Sequence, residues 1–259
     1  TLHGDIMEVL NESRIQLASG NRRDLFSPAR RANRVLHGNV TQSDGRIRAT
    51  LVLEDIASGT TLWSKQFERD TDAQERLATE ASAAVARTIY AVQETRQQRG
   101  QALDPATIAL YVRGVELIRD ARLLEEGAPR QIFEQVVARA PDSAIGHAQL
   151  AISWVGEVRR SEPETRARLF ANGRNAAQRA IAIEPAAAGS AYDALYYLAR
   201  IEHPRQIGTA EDWLLAGMRN APANPWVHMR ECQLLMGVGR IREAVPLCQR
   251  AMALHPYAE

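Results

Sequence analysis

Apolar and polar residues alternate in three stretches near the start of the chain, and this period of two is typical of half-buried β-strands. The stretches cover residues 35–41, 47–56 and 61–67, and turn sequences at residues 43–45 and 57–59 separate them. Asp-Gly and Ser-Gly at such positions favour tight reversals of the chain. We therefore expect an antiparallel meander of three strands, followed by an amphipathic helix over residues 72–98.

The residues before the meander predict two further elements, a short helix over residues 5–11 and one more strand over residues 14–18. Together with the meander they indicate an α+β unit over residues 1–102, a small antiparallel sheet with helices on one face. A sheet of so few strands normally needs another strand or a cover. We expect the unit to lack its first strand. The chain begins at Thr1 without Met, so we also expect it to be a fragment.

The strand pattern disappears after Asp104, and apolar residues then recur at helical spacing between short breaks. Asp104 and Pro105 supply a helix N-cap and a proline at the first helical position. The boundary between the two parts is therefore predicted at residues 102 and 103. Residues 103–259 are expected to be all-helical.

Similar helix ends recur in this helical part, each closed by a proline. These prolines are Pro141, Pro185, Pro222 and Pro256, with intervals of 44, 37 and 34 residues. The last interval equals the repeat length of roughly 34 residues that is found in one class of helical hairpin. Small residues such as Ala244 and Ala251 occupy positions where two helices must cross closely. We expect about four hairpins, or about eight helices, stacked into a superhelix.

Composition narrows the range of partners. The charged fraction is 24%, the apolar fraction 45% and the formal net charge +1. These values are those of an ordinary soluble protein, and the absence of a basic excess argues against a nucleic-acid partner. No run of about 18 apolar residues is present, so no membrane span is expected in this fragment.

Signatures of catalysis and of cofactor binding are missing from the sequence. There is no phosphate-binding loop, dinucleotide glycine fingerprint, zinc-protease motif or nucleophile elbow. The histidines are scattered, and those in the repeats, His147, His228 and His255, are expected to be structural. We therefore predict no catalytic residue, no cofactor and no metal.

The two cysteines, Cys232 and Cys248, fall in the last hairpin. Cys232 is expected to oppose Ala244, which leaves Cys248 displaced by four residues, or about 6 Å along the helix axis. Adding the roughly 8 to 10 Å between helix axes puts the two Cα atoms beyond the ~7 Å that a disulfide tolerates. Two free, buried thiols are predicted.

Two family resemblances cover nearly the whole chain. The proline-closed hairpins resemble tetratricopeptide repeats, and residues 34–40, 45–53, 59–64 and 67–70 resemble the TolB-like domain that precedes such repeats in bacterial signalling proteins. The pairing is similar to the C-terminal half of CadC/ToxR-type transcription regulators and of some class III adenylate cyclases. It implies a non-catalytic sensory and protein-interaction module, periplasmic if the parent is anchored in the membrane and otherwise cytoplasmic.

The same repeats also occur in scaffold or assembly proteins of cell-envelope complexes, and this alternative stays open. A signalling protein and a scaffold protein are expected to differ in the sequence that precedes Thr1. A winged helix with a membrane span, or a cyclase domain, would favour a signalling protein, whereas a lipoprotein signal would favour a scaffold.

Resemblance to tetratricopeptide repeats also suggests where a partner binds. In such repeats, the first helix of each hairpin lines the concave surface. Its side chains at positions 2, 5, 9 and 12 point into the groove, because this spacing keeps them on one side of the helix. In the last hairpin these are Trp226, Met229, Gln233 and Met236, and in the third Gly189, Tyr192, Tyr196 and Ala199. The predicted partner-binding residues are Tyr192, Tyr196, Trp226, Met229 and Gln233. The partner would be a protein or peptide segment, or a second copy of the chain in a homo-oligomer. Alternatively, these large residues simply pack on the neighbouring first helix.

Overall fold

The structure, a computed structural model, describes residues 15–17, 33–97 and 102–255, so the helix predicted over residues 5–11 lies outside the described residues. The chain divides into two compact units. One comprises the chain up to Gln93 together with Asp104–Val112, and it contains a small sheet. The other comprises Glu94–Leu103 and the chain from Arg113 onward, and it contains the helical hairpins.

The sheet has four strands in the order β1-β2-β3-β4. They are β1 (Ile15–Leu17), β2 (Arg34–Ser43), β3 (Arg46–Asp55) and β4 (Thr61–Asp70). The last three form the antiparallel meander that the alternating pattern predicts, so this prediction is confirmed. The extra strand predicted over residues 14–18 is also present as β1, and it pairs with β2 in the parallel direction.

Backbone conformation explains the first reversal of the meander. Asp44 and Gly45 have φ angles of 51° and 73°, and Ser43 pairs with Arg46 across the turn. Two central residues with positive φ match the right-handed twist of the strands that they connect. The strands bury apolar side chains, which include Val35, Leu36, Ile47, Leu53, Leu62, Trp63 and Phe67.

A short 3-10 turn, Thr71–Ala73, leads from β4 into the helix α1 (Gln74–Gln97). The predicted bounds of 72–98 are therefore correct to within two residues. Each of six buried apolar residues of α1 lies three or four positions from another of the set: Leu77, Ala81, Ala84, Val85, Ile89 and Val92. This spacing places them on one side of the helix.

Within residues 102–255 the structure contains helices and no strand. The nine helices are α2 (Pro105–Ile118), α3 (Ala121–Glu125), α4 (Ala128–Arg139), α5 (Ala144–Arg160), α6 (Pro163–Ile183), α7 (Gly189–Glu202), α8 (Ile207–Asn220), α9 (Pro225–Gly237) and α10 (Ile241–Leu254). The one helix beyond the predicted eight is the short α3. It forms because the Asp120 side chain caps its start by accepting hydrogen bonds from the backbone N–H groups of Arg122 and Leu123.

The later helices pair as hairpins: α5 packs on α6, α7 on α8, and α9 on α10. The first helices of these hairpins also pack on one another in the order α5, α7, α9. Small residues of the second helices lie at the crossings and are almost fully buried: Ala177, Ala180, Ala210, Ala244 and Ala251. A tetratricopeptide-type helical region after a small sheet is thus confirmed as the fold class.

Two of the first helices begin with similar hydrogen bonds. At the start of α5 the side-chain oxygen of Ser143 accepts a hydrogen bond from the backbone N–H of Gly146. At the start of α9 the side-chain oxygen of Asn224 accepts one from the backbone N–H of Trp226. In addition, the Nε2 atom of His147 lies 2.9 Å from the carbonyl oxygen of Pro141, and His228 makes the same contact with Pro222. Each histidine lies six residues after the proline that closes the preceding hairpin. These contacts give His147 and His228 a structural role, as expected.

The prediction of two free cysteines is wrong, because Cys232 and Cys248 form a disulfide with a Cα–Cα distance of 5.4 Å. The prediction added the full distance between helix axes to the axial displacement. Cα atoms lie about 2.3 Å from the axis, so two residues that face each other are closer than their axes by nearly twice that radius. The observed distance also requires an axial displacement below 5.4 Å, less than the ~6 Å assumed.

Loss of the disulfide should destabilise the last hairpin. Its cysteines are 16 residues apart, and closing a loop of this size stabilises a fold by about 3 kcal/mol. We expect the double substitution Cys232→Ala and Cys248→Ala to lower the free energy of unfolding by roughly that amount in a urea titration. The single variant Cys248→Ala should lose most of the same energy. A wild-type mass that fails to rise by about 2 Da on reduction would contradict the prediction.

Candidate functional site

An ion pair connects two adjacent first helices, α7 and α9. Arg230 of α9 donates from Nε to both carboxylate oxygens of Asp193 on α7, at 3.0 and 3.4 Å. One terminal nitrogen of the same guanidinium donates to the side-chain oxygen of Gln233 at 2.7 Å. The guanidinium also lies 5.0 Å from the ring centroid of Tyr197, a distance suitable for a cation–π contact.

Burial sets the electrostatics of this ion pair. The Asp193 side chain is 7% exposed and that of Arg230 is 24% exposed. Desolvation raises the pKa of Asp193 to about 6, although the charge of Arg230 and its hydrogen bond act to lower it. Burial also raises the pKa of Tyr197 to about 12. Asp193 is therefore mostly ionised at neutral pH, and the positive charge of Arg230 compensates its buried negative charge.

We name the surface around this pair the first-helix face. It is formed by residues of α5, α7 and α9: Arg159, Asp193, Tyr197, Arg200, Met229, Arg230 and Gln233. Arg159 and Gln233 are exposed, whereas Tyr197, Arg200, Met229 and Arg230 are half-buried. The face therefore presents charged, amide and aromatic groups with a buried carboxylate beneath them.

Of the predicted partner-binding residues, the structure places Met229, which is half-buried, and Gln233, which is exposed, on this face. Trp226 is half-buried, and its ring packs edge-on against that of His255, which follows α10, with 5.9 Å between the ring centroids. Tyr192 and Tyr196 are only 2% and 9% exposed. The prediction that these two tyrosines line an open groove is therefore wrong. The alternative that they are packing residues describes them correctly.

Contacts of Tyr192 and Tyr196 show what they do instead. The Tyr192 hydroxyl accepts a hydrogen bond from the Asn220 side chain at the end of α8. A Cβ atom on Gly217 would come within 2.9 Å of the Tyr192 side chain, so the close approach of α8 requires glycine there. Tyr196 belongs to an apolar cluster with Ala210 and Leu214 of the same second helix. Both tyrosines therefore belong to the interior of their own hairpin.

An error of one residue in register explains the misplacement. Tyr196 packs on Ala210 of its second helix, as Cys232 packs on Ala244 in the last hairpin. Tyr196 is thus equivalent to Cys232, and the surface position is the next residue, Tyr197. A shift of one residue rotates a side chain by about 100° around the helix.

Loop length is the physical source of the shift. α9 begins at Pro225, three residues after Pro222, whereas α7 begins at Gly189, four residues after Pro185. Counting from the helix start, positions 2, 5, 9 and 12 of the third hairpin are Ser190, Asp193, Tyr197 and Arg200. The sequence does contain a signal for this register, because Asp193 is the one charged residue in the otherwise apolar and small-residue run 188–199.

Removal of Arg230 should be costly, because it leaves the carboxylate of Asp193 buried without a cation. We expect Arg230→Ala to lower the free energy of unfolding by about 2–4 kcal/mol at neutral pH. Adding Asp193→Ala should recover part of this loss, since the buried charge is then removed as well. Urea unfolding of the two single variants and the double variant measures the coupling. Strictly additive losses would contradict a coupled pair.

A second buried carboxylate lies at the junction of the last two hairpins. Glu231 of α9 is 2% exposed, and its Oε2 atom has no hydrogen-bond partner within the described part of the chain. Burial is the main cause that raises its pKa to about 7, and the nearby carboxylates of Glu211 and Glu243 raise it further. Arg240 opposes this effect, but it donates hydrogen bonds to Glu211 and Glu243 instead.

The raised pKa of Glu231 predicts that the protein loses stability as the pH rises from mildly acidic to neutral. Its pKa rises from 4.5 to about 7 on folding, so the folded chain retains a proton that the unfolded chain releases. The free energy of unfolding should therefore fall as the pH rises from about 4.5 to 7 and change little above that. We expect Glu231→Gln to stabilise the protein by about 1–3 kcal/mol at pH 8.

Thermal unfolding between pH 5 and pH 8 would measure this effect. Glu164→Gln, which alters an exposed carboxylate at the start of α6, is the matched control and should keep the wild-type pH profile. An unchanged profile in the Glu231→Gln variant would show that this carboxyl group does not cause the slope.

The described residues contain neither a candidate metal site nor a candidate membrane-spanning helix. Residues 15–17, 33–97 and 102–255 contain no group of three or more His, Cys, Asp or Glu side chains that could hold a metal ion. None of the helices in these ranges is long and apolar enough to cross a lipid bilayer.

Comparison with known proteins adds little to this description. No protein-family model and no curated protein matches the chain. Among solved structures, the chain is similar to a thermophilic TPR protein of Thermus thermophilus, with 19% sequence identity and a TM-score of 0.45. The match covers 70% of this chain and 87% of that one. The assignment of tetratricopeptide-type hairpins consequently depends on the helix pairing and packing described above.

Proposed function

We propose that this chain is a non-catalytic regulatory and protein-interaction module of a bacterial signalling protein, and that a partner protein binds its first-helix face. The observation that carries the proposal is the group of contacts around Arg230. Tyr197, Arg230 and Gln233 come from two adjacent first helices and meet at an accessible surface. Tyrosine and arginine dominate the binding energy of many protein interfaces.

Neighbouring side chains support the same function. Met229 is half-buried beside Arg230, and Met236, one helical turn after Gln233, is 46% exposed. Methionine side chains adapt to irregular partners because they are unbranched and polarizable. The Arg230–Asp193 pair holds the guanidinium in one orientation, which lowers the entropy that a partner must remove on binding.

The signalling context of the proposal comes from the N-terminal unit. We propose that residues 1–102 are a TolB-like domain and residues 103–259 the interaction module, in a transcription regulator or an adenylate cyclase. In support, the segments that resemble the TolB-like domain, residues 34–40, 45–53 and 59–64, fall on β2, β3 and the start of β4. The order of strands and helices agrees with such a domain followed by repeats.

The disulfide favours one compartment over the other. Disulfides such as Cys232–Cys248 persist in oxidising environments, which include the bacterial periplasm, and are rare in the cytoplasm. We therefore propose a periplasmic location for this part of the protein. That location agrees with a membrane-anchored regulator better than with a cytoplasmic cyclase. It is also compatible with the alternative, a scaffold of an envelope complex, and the coding sequence that precedes Thr1 would separate the two.

Site-specific photocrosslinking in the native bacterium would test the interaction function. A benzophenone amino acid replaces Gln233 on the first-helix face and, in a matched control, Gln178, an exposed glutamine on α6. We expect a covalent adduct with another protein chain at position 233 and none at position 178. Mass spectrometry of the adduct would identify the partner, and an adduct with the chain itself would indicate a homo-oligomer.

Benzophenone at position 229 and position 197 should yield the same adduct, because Met229 and Tyr197 lie on the same face. Absence of any adduct from all three positions, in cells where each variant accumulates in folded form, would contradict binding at this face. An adduct at position 178 alone would indicate that the partner binds the second helices instead.

A further inference from the structure

Helix α10 carries three exposed apolar side chains on one side. Ile241, Val245 and Met252 are 53%, 48% and 63% exposed. Their spacing of four and seven residues places them in line along the helix. The side of α10 that meets α9 is a different one, where Ala244 belongs to the buried cluster of the last hairpin. The described part of the chain therefore leaves an apolar stripe of α10 open to solvent.

Equivalent positions of the two earlier second helices show what this side does there. The three residues of the stripe precede the closing proline, Pro256, by 15, 11 and 4 positions. Counted back from Pro222 and Pro185, the same positions hold Ile207, Glu211 and Met218 in α8, and Phe170, Arg174 and Ile181 in α6. All six of these side chains are buried or half-buried. Both α6 and α8 pack on the first helix of the next hairpin, α7 or α9.

Contacts at these positions run to the following hairpin. Arg174 forms an ion pair with Glu202 at the end of α7, and Glu211 forms one with Arg240, which follows α9. The half-buried Ile207 packs against an apolar cluster to which α9 also contributes. We name the equivalent side of α10, which carries the three exposed apolar residues, the α10 stacking side. It continues the interface by which one hairpin stacks on the next.

One position on the α10 stacking side differs from the earlier hairpins. Where α6 and α8 place a charged side chain that pairs with the next hairpin, α10 has Val245. A further hairpin of the same kind would leave its own charged residue against valine, without compensation. The helix that covers α10 should therefore be apolar at this point. The same side of a second copy of the chain meets this requirement.

We propose that two copies of the chain associate through their α10 stacking sides, as an antiparallel pair of helices about a two-fold axis. Such an axis brings one surface against itself and closes most homodimers. Ile241 and Met252 are equally distant from the middle of the stripe, so Ile241 of one copy meets Met252 of the other. Val245 lies only about 2 Å along the helix from that middle, so it is close to the axis.

The size of the contact sets the expected strength of association. One helix from each chain buries less than the ~1,200 Å² that marks the low end of specific interfaces, so we expect a weak dimer with a Kd on the order of 10–100 µM. This inference goes beyond the proposed function, because it concerns a different surface from the first-helix face and a different partner.

Sedimentation velocity of the whole chain would test the inference. Between about 1 µM and about 500 µM protein, the mass should rise from that of one chain towards that of two. Val245→Glu and Met252→Glu should each weaken association at least about ten-fold, because each buries an unpaired carboxylate in an apolar contact. Val40→Glu, at a 65% exposed valine of β2, is the matched control and should associate as the wild type does. Circular dichroism would verify that every variant is folded.

Photocrosslinking from position 245 would identify what covers the helix. In the purified protein, a benzophenone amino acid in place of Val245 should give an adduct with the mass of two chains, attached within residues 241–252 of the second copy. The same replacement at Gln178, an exposed residue of α6, should give none. In the native bacterium, position 245 should yield the same adduct of two chains.

Three results would overturn the inference: a monomer throughout the concentration range, equal weakening by Val245→Glu and Val40→Glu, or an adduct of position 245 with a different protein or with another segment of the same chain. The last result would assign another occupant to the α10 stacking side. Crosslinking at position 233 is a separate measurement. If that adduct forms with another protein while the chain stays monomeric, the interaction function stands and only self-association through α10 is rejected.

Discussion

Small side chains hold the two helices of each hairpin close together, and the architecture of the helical unit depends on this short distance. Ala210 and Ala244 are at most 1% exposed at the crossings, and a Cβ atom on Gly217 would overlap Val227 and Tyr192. Larger residues at these points would force the helices apart, because protein interiors are packed without free volume. With the second helices held in this way, the first helices contact one another, and the middle one, α7, is buried along most of its length.

The same short distance makes side-chain register decisive. Around α7, Tyr196 is buried against the second helix, whereas Tyr197 is half-buried at the edge of the same cluster and lies against the guanidinium of Arg230, although the two tyrosines are adjacent and their rings touch. A rotation of about 100° separates a packing residue from a surface residue. Register also explains why Cys248 reaches Cys232, because the two lie on facing sides of neighbouring helices with their Cα atoms 5.4 Å apart.

Strand and helix positions could be predicted from the sequence because they depend on short-range patterns. The alternation in β2 to β4, the Asp44-Gly45 turn and the proline-closed helix ends all act within a few residues. The first-helix face could not be predicted so well. Its register depends on one extra residue between Pro185 and Gly189, and the sequence reports this loop length only through the single charge of Asp193 in an otherwise uncharged run. The disulfide and the Asp193–Arg230 pair join separate helices, so they require distances that only the packed structure contains.

The buried ion pair on the first-helix face has a consequence beyond stability. Desolvation offsets much of the attraction between Asp193 and Arg230, as the raised pKa of Asp193 indicates, so the pair contributes little net stability compared with an apolar pair of similar volume. What it does supply is orientation. Asp193 holds one edge of the guanidinium, Gln233 a second, and Tyr197 covers its plane. In the function proposed above, a cation fixed in this manner would bind a partner of one geometry in preference to others, which favours specificity over affinity.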